Sequence, residues 1–212
     1  VRSRGLGDVY KRQDQITTVL PLPQDESLWE NLHLVFATSS GNVRRNKLSD
    51  FRNVRASGLI AMKLDEDDHL IGVATCRDGD DVFLATKLGR CIRFQISDET
   101  LRVFSGRDST GVRGIKLGKD DEVMSLCVLR HVEASVEERA AYLKQRNAAA
   151  DEEGAVPEES DEAVAEIAIS EEKIKELGEA EEILLTVTDS GFGKRSSACL
   201  LYTSPSPRDR TR

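Results

Sequence analysis

Histidine and cysteine are scarce in this chain, at three and four of 212 residues, and neither type is clustered. Cys76, Cys91, Cys127 and Cys199 show no CxxC spacing, and His33, His69 and His131 are scattered. That pattern argues against a zinc centre or a disulfide framework, and buried strand thiols in a reducing cytosol fit it better. No apolar run approaches the length of a membrane span, and no signal-peptide pattern opens the chain. No Ser/His/Asp or Cys/His arrangement marks a nucleophile, and the only tyrosine outside the two ends is Tyr142. Gly193-Lys194 superficially matches the end of a nucleotide-binding loop. The match fails, because Thr188 stands where that motif needs glycine and Arg195 where it needs Ser or Thr. An active site is not legible here.

An excess of base is also missing, since the formal net charge is −8. The deficit is local. Residues 131–182 hold 17 acids against 5 bases, whereas 34–130 hold 16 bases against 14 acids. A mildly basic region is masked by one acidic segment, so the overall charge does not exclude a polyanionic partner.

What the chain has is a repeated phrase. Residues 35–48 read VFATSSGNVRRNKL, 83–96 read FLATKLGRCIRFQI, and 185–197 read LTVTDSGFGKRSS, with Gly41, Gly89 and Gly191 at matching places. A second phrase follows in the first two copies: GLIAMKLDEDDHLIGVATC from Gly58 and GVRGIKLGKDDEVMSLCVL from Gly111. The first phrase recurs after 48 residues and the second after 53. The register therefore slips once, by an insertion in the loop that ends at Asp108-Ser109-Thr110, as a repeated β unit tolerates. Self-similarity at about 50 residues signals a blade-like or solenoid array.

Each complete copy predicts about four strands. Leu34–Thr38 and Val82–Thr86 are apolar β runs that turn at the glycine into return strands from Val43 and Cys91. Short strands are expected at Leu59–Leu64 and Val112–Leu117, then strongly apolar ones at Leu70–Cys76 and Val123–Leu129. Asp67-Asp68 and Asp120-Asp121 fall in the connections; turn formation is the default reading over a cation site. Residues 131–182 break the pattern. Ser135-x-x-Glu138 reads as a capping box opening a helix to about Asn147, and Ser170 caps a second with Glu171 and Glu172 in its first turn. The β phrase resumes at Ile183–Thr188. The fold class is all-β, with an acidic helical insertion at a blade boundary. The expected organisation is blades over 14–130, the acidic helical or disordered insertion over 131–182, and the start of another blade over 183–198. The ends, 1–13 and 199–212, lack the repeat pattern and read as non-native sequence.

Bases recur after each turn glycine: Arg44-Arg45, then Arg90 and Arg93, then Lys194-Arg195, with Arg113, Lys63 and Lys116 in the second phrase. Equivalent positions around one rim could track a phosphate backbone; a solvated strand face is the alternative. GVRGIKLGKDDEVMSL, GLIAMKLDEDDHLIGVA and SGFGKRS resemble the C-terminal domain of the A subunit of bacterial DNA gyrase. That family forms a β-pinwheel, a propeller-like disc of four-stranded blades around which DNA wraps. The resemblance implies a DNA-wrapping module of a type II topoisomerase that supports ATP-dependent negative supercoiling. It implies double-stranded DNA as partner, with the B subunit of gyrase and a second A subunit in a cytoplasmic heterotetramer. It carries a DNA-contact expectation to Arg44, Arg45, Arg90, Arg93, Arg113, Lys194 and Arg195. No cofactor is implied for this segment; ATP and Mg2+ would bind elsewhere in the parent enzyme. The catalytic tyrosine and the Gln-Arg-Arg-Gly-Gly-Lys-Gly box of that family are absent from the sequence. The homologous C-terminal domain of the A subunit of topoisomerase IV and a propeller-like protein-interaction scaffold remain open as readings. The acidic segment reads either as a competitor of DNA or as a solvated helical spacer.

Overall fold

The computed structural model describes residues 16–55, 58–152 and 169–201; the expected non-native end 1–13 and most of 199–212 lie outside them. Three antiparallel sheets follow one another along the chain. In the first, β1 (His33–Thr38) turns at Gly41 into β2 (Asn42–Lys47), and β3 (Leu70–Cys76) pairs on the far side of β1. The second repeats the pattern with β4 (Asp81–Thr86), β5 (Cys91–Gln95) and, after a two-residue strand β6 (Val112–Arg113), β7 (Val123–Leu129). Both sheets bulge at the same place, between Ala37 and Thr38 and between Ala85 and Thr86. The third is a hairpin of β8 (Ile183–Val187) and β9 (Gly193–Ser197).

Strand β6 departs from the expected arrangement. It arises in the second repeat but pairs with β2 of the first, through Asn42↔Arg113 and Val43↔Val112. The first blade is four-stranded only because its neighbour lends it a strand. The matching run Leu59–Leu64, expected as a strand, takes no strand conformation. No return strand lies beside it among the described residues, and Ile60 is exposed. Backbone groups join a ladder only where a partner edge is offered.

The loan requires glycine. Gly111 has φ +88°, and a Cβ there would stand 2.2 Å from the Val43 carbonyl oxygen. Gly41 has φ +87°, and its Cβ would meet Ile115 at 2.9 Å. Positive φ and close backbone approach both exclude a side chain at these sites.

Strand residues alternate between faces, and the blades use both faces. Val35, Ala37 and Val43 of the first blade pack on Val82, Leu84, Phe94 and Ile96 of the second, with Leu101 and Ile115 between them. On its other face Leu34 and Phe36 are covered by Trp29, Phe51 and Met62. Phe83 and Leu129 of the second blade meet Leu184 and Ala198 of the third. Two of these three clusters lie between blades, as stacked repeats require, and the third lies under the segments flanking the first blade.

The inserted segment holds two helices that share a small apolar cluster. Helix α1 (Val136–Glu152) opens with a capping box: Glu138 N–H donates to Ser135 Oγ at 3.1 Å, and Ser135 N–H to Glu138 Oε2 at 2.7 Å. Helix α2 (Glu171–Glu179) is capped by Ser170, whose oxygen accepts from Lys173 N–H. Tyr142, Leu143 and Leu177 form a small core with Ile174 and Cys199. Tyr142 donates to Glu181 at 2.7 Å, and Arg146 pairs with the same carboxylate. Residues 153–168 of the insertion lie outside the described residues. No helix among the described residues is long and apolar enough to cross a membrane.

Candidate nucleic-acid interface

Three of the seven expected contact residues lie inside the protein. Arg44 is 0% exposed; its Nε donates to Asn46 Oδ1 at 2.9 Å and its Nη1 to the Ser109 carbonyl at 2.6 Å. Its guanidinium lies over the ring of Phe104 at 5.3 Å, as does that of Arg102 at 4.8 Å. Burial pushes the Arg44 guanidinium below its ordinary value, with Asp108 opposing the change. Arg45 is 1% exposed, donates to the Leu101 carbonyl at 3.3 Å and pairs with Asp78. Arg93 donates to Asp81 at 2.8 Å, to the Ala198 carbonyl at 2.7 Å and to the Arg130 carbonyl at 2.9 Å. A phosphate outside the protein reaches none of these groups in this conformation, so Arg44, Arg45 and Arg93 leave the candidate interface. Sequence reasoning placed them outside because charged residues after a turn usually are; here both faces of the return strand are covered.

The other four are exposed. Lys194 and Arg195 stand on β9, across from Thr186 and Leu185. Arg113 stands on the lent strand β6 opposite Asn42. Arg90 leaves the β4–β5 turn, and its guanidinium lies over Gly118, 3.6 Å from where a Cβ would be. The chain from Arg113 to Lys119 therefore bridges the two hairpin turns. Its first part lies on the Gly41 turn, which touches Ile115 and Leu117, and its end lies under Arg90. Lys116 and Lys119 are exposed on the same run. Arg113, Lys116 and Lys119 make no salt bridge among the described residues. Lys87 is different: Glu122 compensates it at 2.9 Å. The structure thus adds Lys119, which no repeat position pointed to, since the first copy has Glu66 there.

Acidic residues beside this run fix its shape. Asp67 and Asp120 hold φ of 67° and 61° at the tips of matching turns. The following residue ties each turn to its blade's hairpin. Asp68 Oδ1 accepts from Ser39 Oγ at 2.8 Å and Ser40 N–H at 2.9 Å, and its Oδ2 from Ser40 Oγ at 2.6 Å. Asp121 accepts from Leu88 N–H and Glu122 N–H, each at 3.0 Å. Burial opposes ionisation of Asp68, but hydrogen bonds from Ser40, Thr38 and Ser39 outweigh it and hold the carboxyl below its usual range. Asp121 shifts the same way: desolvation is again overcome, here by hydrogen bonds from Leu88, Thr86 and Glu122. Both Asp pairs act as turn residues. No group of three or more potential metal ligands occurs among the described residues.

The cysteines are free thiols, and burial pushes that of Cys76 up to about 12. Such a thiol is inert as a nucleophile at neutral pH.

The chain matches the family model described as DNA gyrase C-terminal domain, beta-propeller, over residues 32–77, 80–126 and 182–201. It is 67% identical over 195 residues to the A subunit of DNA gyrase from Granulibacter bethesdensis, covering 87% of this chain and 21% of that protein. It is 44% identical over 193 residues to the A subunit of DNA gyrase from Rickettsia bellii, covering 89% of this chain and 20% of that one. The chain thus spans about a fifth of the length of these relatives. A solved structure of a DNA gyrase A C-terminal domain aligns with a TM-score of 0.45 at 17% identity, over 94% of this chain and 67% of that chain.

Proposed function

Because the chain belongs to the DNA gyrase C-terminal domain, beta-propeller family, we propose that it binds double-stranded DNA as part of the wrapping module of the A subunit of gyrase. The observation that carries the reading is the exposed basic run Arg113, Lys116 and Lys119, laid across two blade turns beside Arg90. Such a run neutralises phosphates without reading bases, which is what wrapping demands: contact with the backbone along an arc, whatever the sequence. Lys194 and Arg195 extend the basic series to the third hairpin. In the assembled enzyme, the B subunit of gyrase together with a second A subunit would supply the protein partners. ATP and Mg2+ would act elsewhere, and the wrapped DNA would give strand passage its direction towards negative supercoiling in the cytoplasm.

The test is a salt series with a random-sequence duplex and the full chain. Four neutralised phosphates give a slope of log K against log salt of about −3.6, with little change when the duplex sequence is changed. A flat salt dependence favours a protein-interaction scaffold instead.

A further inference from the structure

The same three side-chain types surround the return-strand arginine in both blades, with acid and imidazole exchanged. In the first blade His33 opens β1 and Asp78 lies in the connection leaving β3, near Arg45. In the second, Asp81 opens β4 and His131 lies in the connection leaving β7, near Arg93. His33 and Asp81 are 48 residues apart, as are Arg45 and Arg93, while Asp78 and His131 are 53 apart. These are the two offsets of the repeat, so the positions are equivalent and only their occupants have traded places.

The second set is tightly bonded. Asp81 is fully buried; its Oδ2 accepts from Arg93 Nε at 2.8 Å, and its Oδ1 lies 2.9 Å from His131 Nδ1. The first set is more open: buried Arg45 pairs with Asp78, whose side chain is 71% exposed, and His33 is buried with no hydrogen-bond partner for its Nδ1 among the described residues. Burial, with Arg45 next, holds the His33 imidazole below the ordinary value. Each arginine then crosses to the next repeat, Arg45 to the Leu101 carbonyl and Arg93 to the Ala198 carbonyl.

We propose that this Arg–Asp–His set, built on a buried arginine, is an inter-blade latch that fixes the spacing of successive blades, and that its acid and imidazole are interchangeable between the strand and connector positions. A buried guanidinium needs one carboxylate, and its planar fork can take it from either side while another arm reaches the neighbouring carbonyl. Two imidazoles would leave it uncompensated. Arg45 and Arg93 are then positioning residues: they set how the basic runs of neighbouring blades line up. That last consequence rests on the DNA reading. The exchange itself does not, so the two can fail separately.

The experiment compares Asp81→His, His131→Asp and the reciprocal double variant with the full chain, in denaturant unfolding followed by circular dichroism. Asp81→His is expected to lower the folding equilibrium constant by at least about 100-fold, and adding His131→Asp to recover most of that loss. Recovery is the readout that a merely space-filling role would not give. If Asp81→His does not fold, the double variant still decides. A folded double variant with a midpoint near that of the original chain supports the latch. A double variant no better than Asp81→His, or an Asp81→His chain as stable as the original, overturns it.

Discussion

The first two blades and the third hairpin carry the same phrase in different surroundings. Phe83 of the second blade is 5% exposed, whereas Leu185 at the same repeat position is 67% exposed. Arg93 is buried against a neighbour's carbonyl, whereas Arg195 is on the surface. The difference lies in what stands beside the strand. Phe83 faces the third hairpin through Ala198 and Leu184, and no blade covers Leu185 among the described residues. Burial in this fold is conferred by stacking, and a blade's residues acquire their roles from the blade that follows.

The contrast is tested most forcefully at that apolar position. Phe83→Ala should cost about 3–5 kcal/mol and Leu185→Ala no more than about 0.5 kcal/mol in denaturant unfolding. Equal losses would show that the third hairpin is as enclosed as the second blade. Next come the glycines. Gly111→Ala adds a Cβ 2.2 Å from a carbonyl oxygen at positive φ, while Gly191→Ala adds one at φ +85° in open space. Thermal melts should show a loss of about 2–5 kcal/mol for the first, from overpacking plus a left-handed residue, and about 1–2 kcal/mol for the second.

A smaller effect distinguishes the turns. Asp68→Asn removes a carboxylate that accepts three hydrogen bonds from the Ser39-Ser40 turn, and should cost about 1–3 kcal/mol. The folded-state carboxyls of Asp68 and Asp121 lie below their ordinary values. Their contribution is therefore complete above the ordinary carboxylate range and is lost as pH falls through the depressed folded values. A pH series of melts should show an acid limb that is shallower in Asp68→Asn. An unchanged limb would mean that this turn carries no linkage.

Much of the fold is legible in the sequence because each signal is local. The turn glycines, the apolar runs of β1, β3, β4 and β7 and both helix caps depend on neighbours a few residues away. What the sequence could not show is non-local. Val112–Arg113 pairs with β2, some 70 residues earlier, so its strand belongs to the preceding blade, and Leu59–Leu64, with an equivalent phrase, forms none. Arg44 and Arg45 read as a basic surface pair because nothing near them in the sequence announces Leu101, Phe104 or Ser109 as partners. The acidic insertion could pass for a solvated spacer until Tyr142, Leu143 and Leu177 are seen to meet across it. The candidate interface was half legible. Arg195 follows from the repeat as the counterpart of Arg45 and Arg93, and Lys194 as that of Arg44. Arg90, Arg113 and Lys119 stand where the first copy has Asn42, Ile60 and Glu66, and come together only because the second phrase lies under the next turn.

On the proposed reading, exposed bases on the lent strand and its loop hold the DNA, while the buried arginines hold the blades. The direct measurement is the salt slope of duplex binding for Arg113→Gln/Lys116→Gln beside the original chain. Loss of two phosphate contacts should make the slope shallower by about 1.8, with the unfolding midpoint unchanged. An unaltered slope in the folded double variant would contradict the claim.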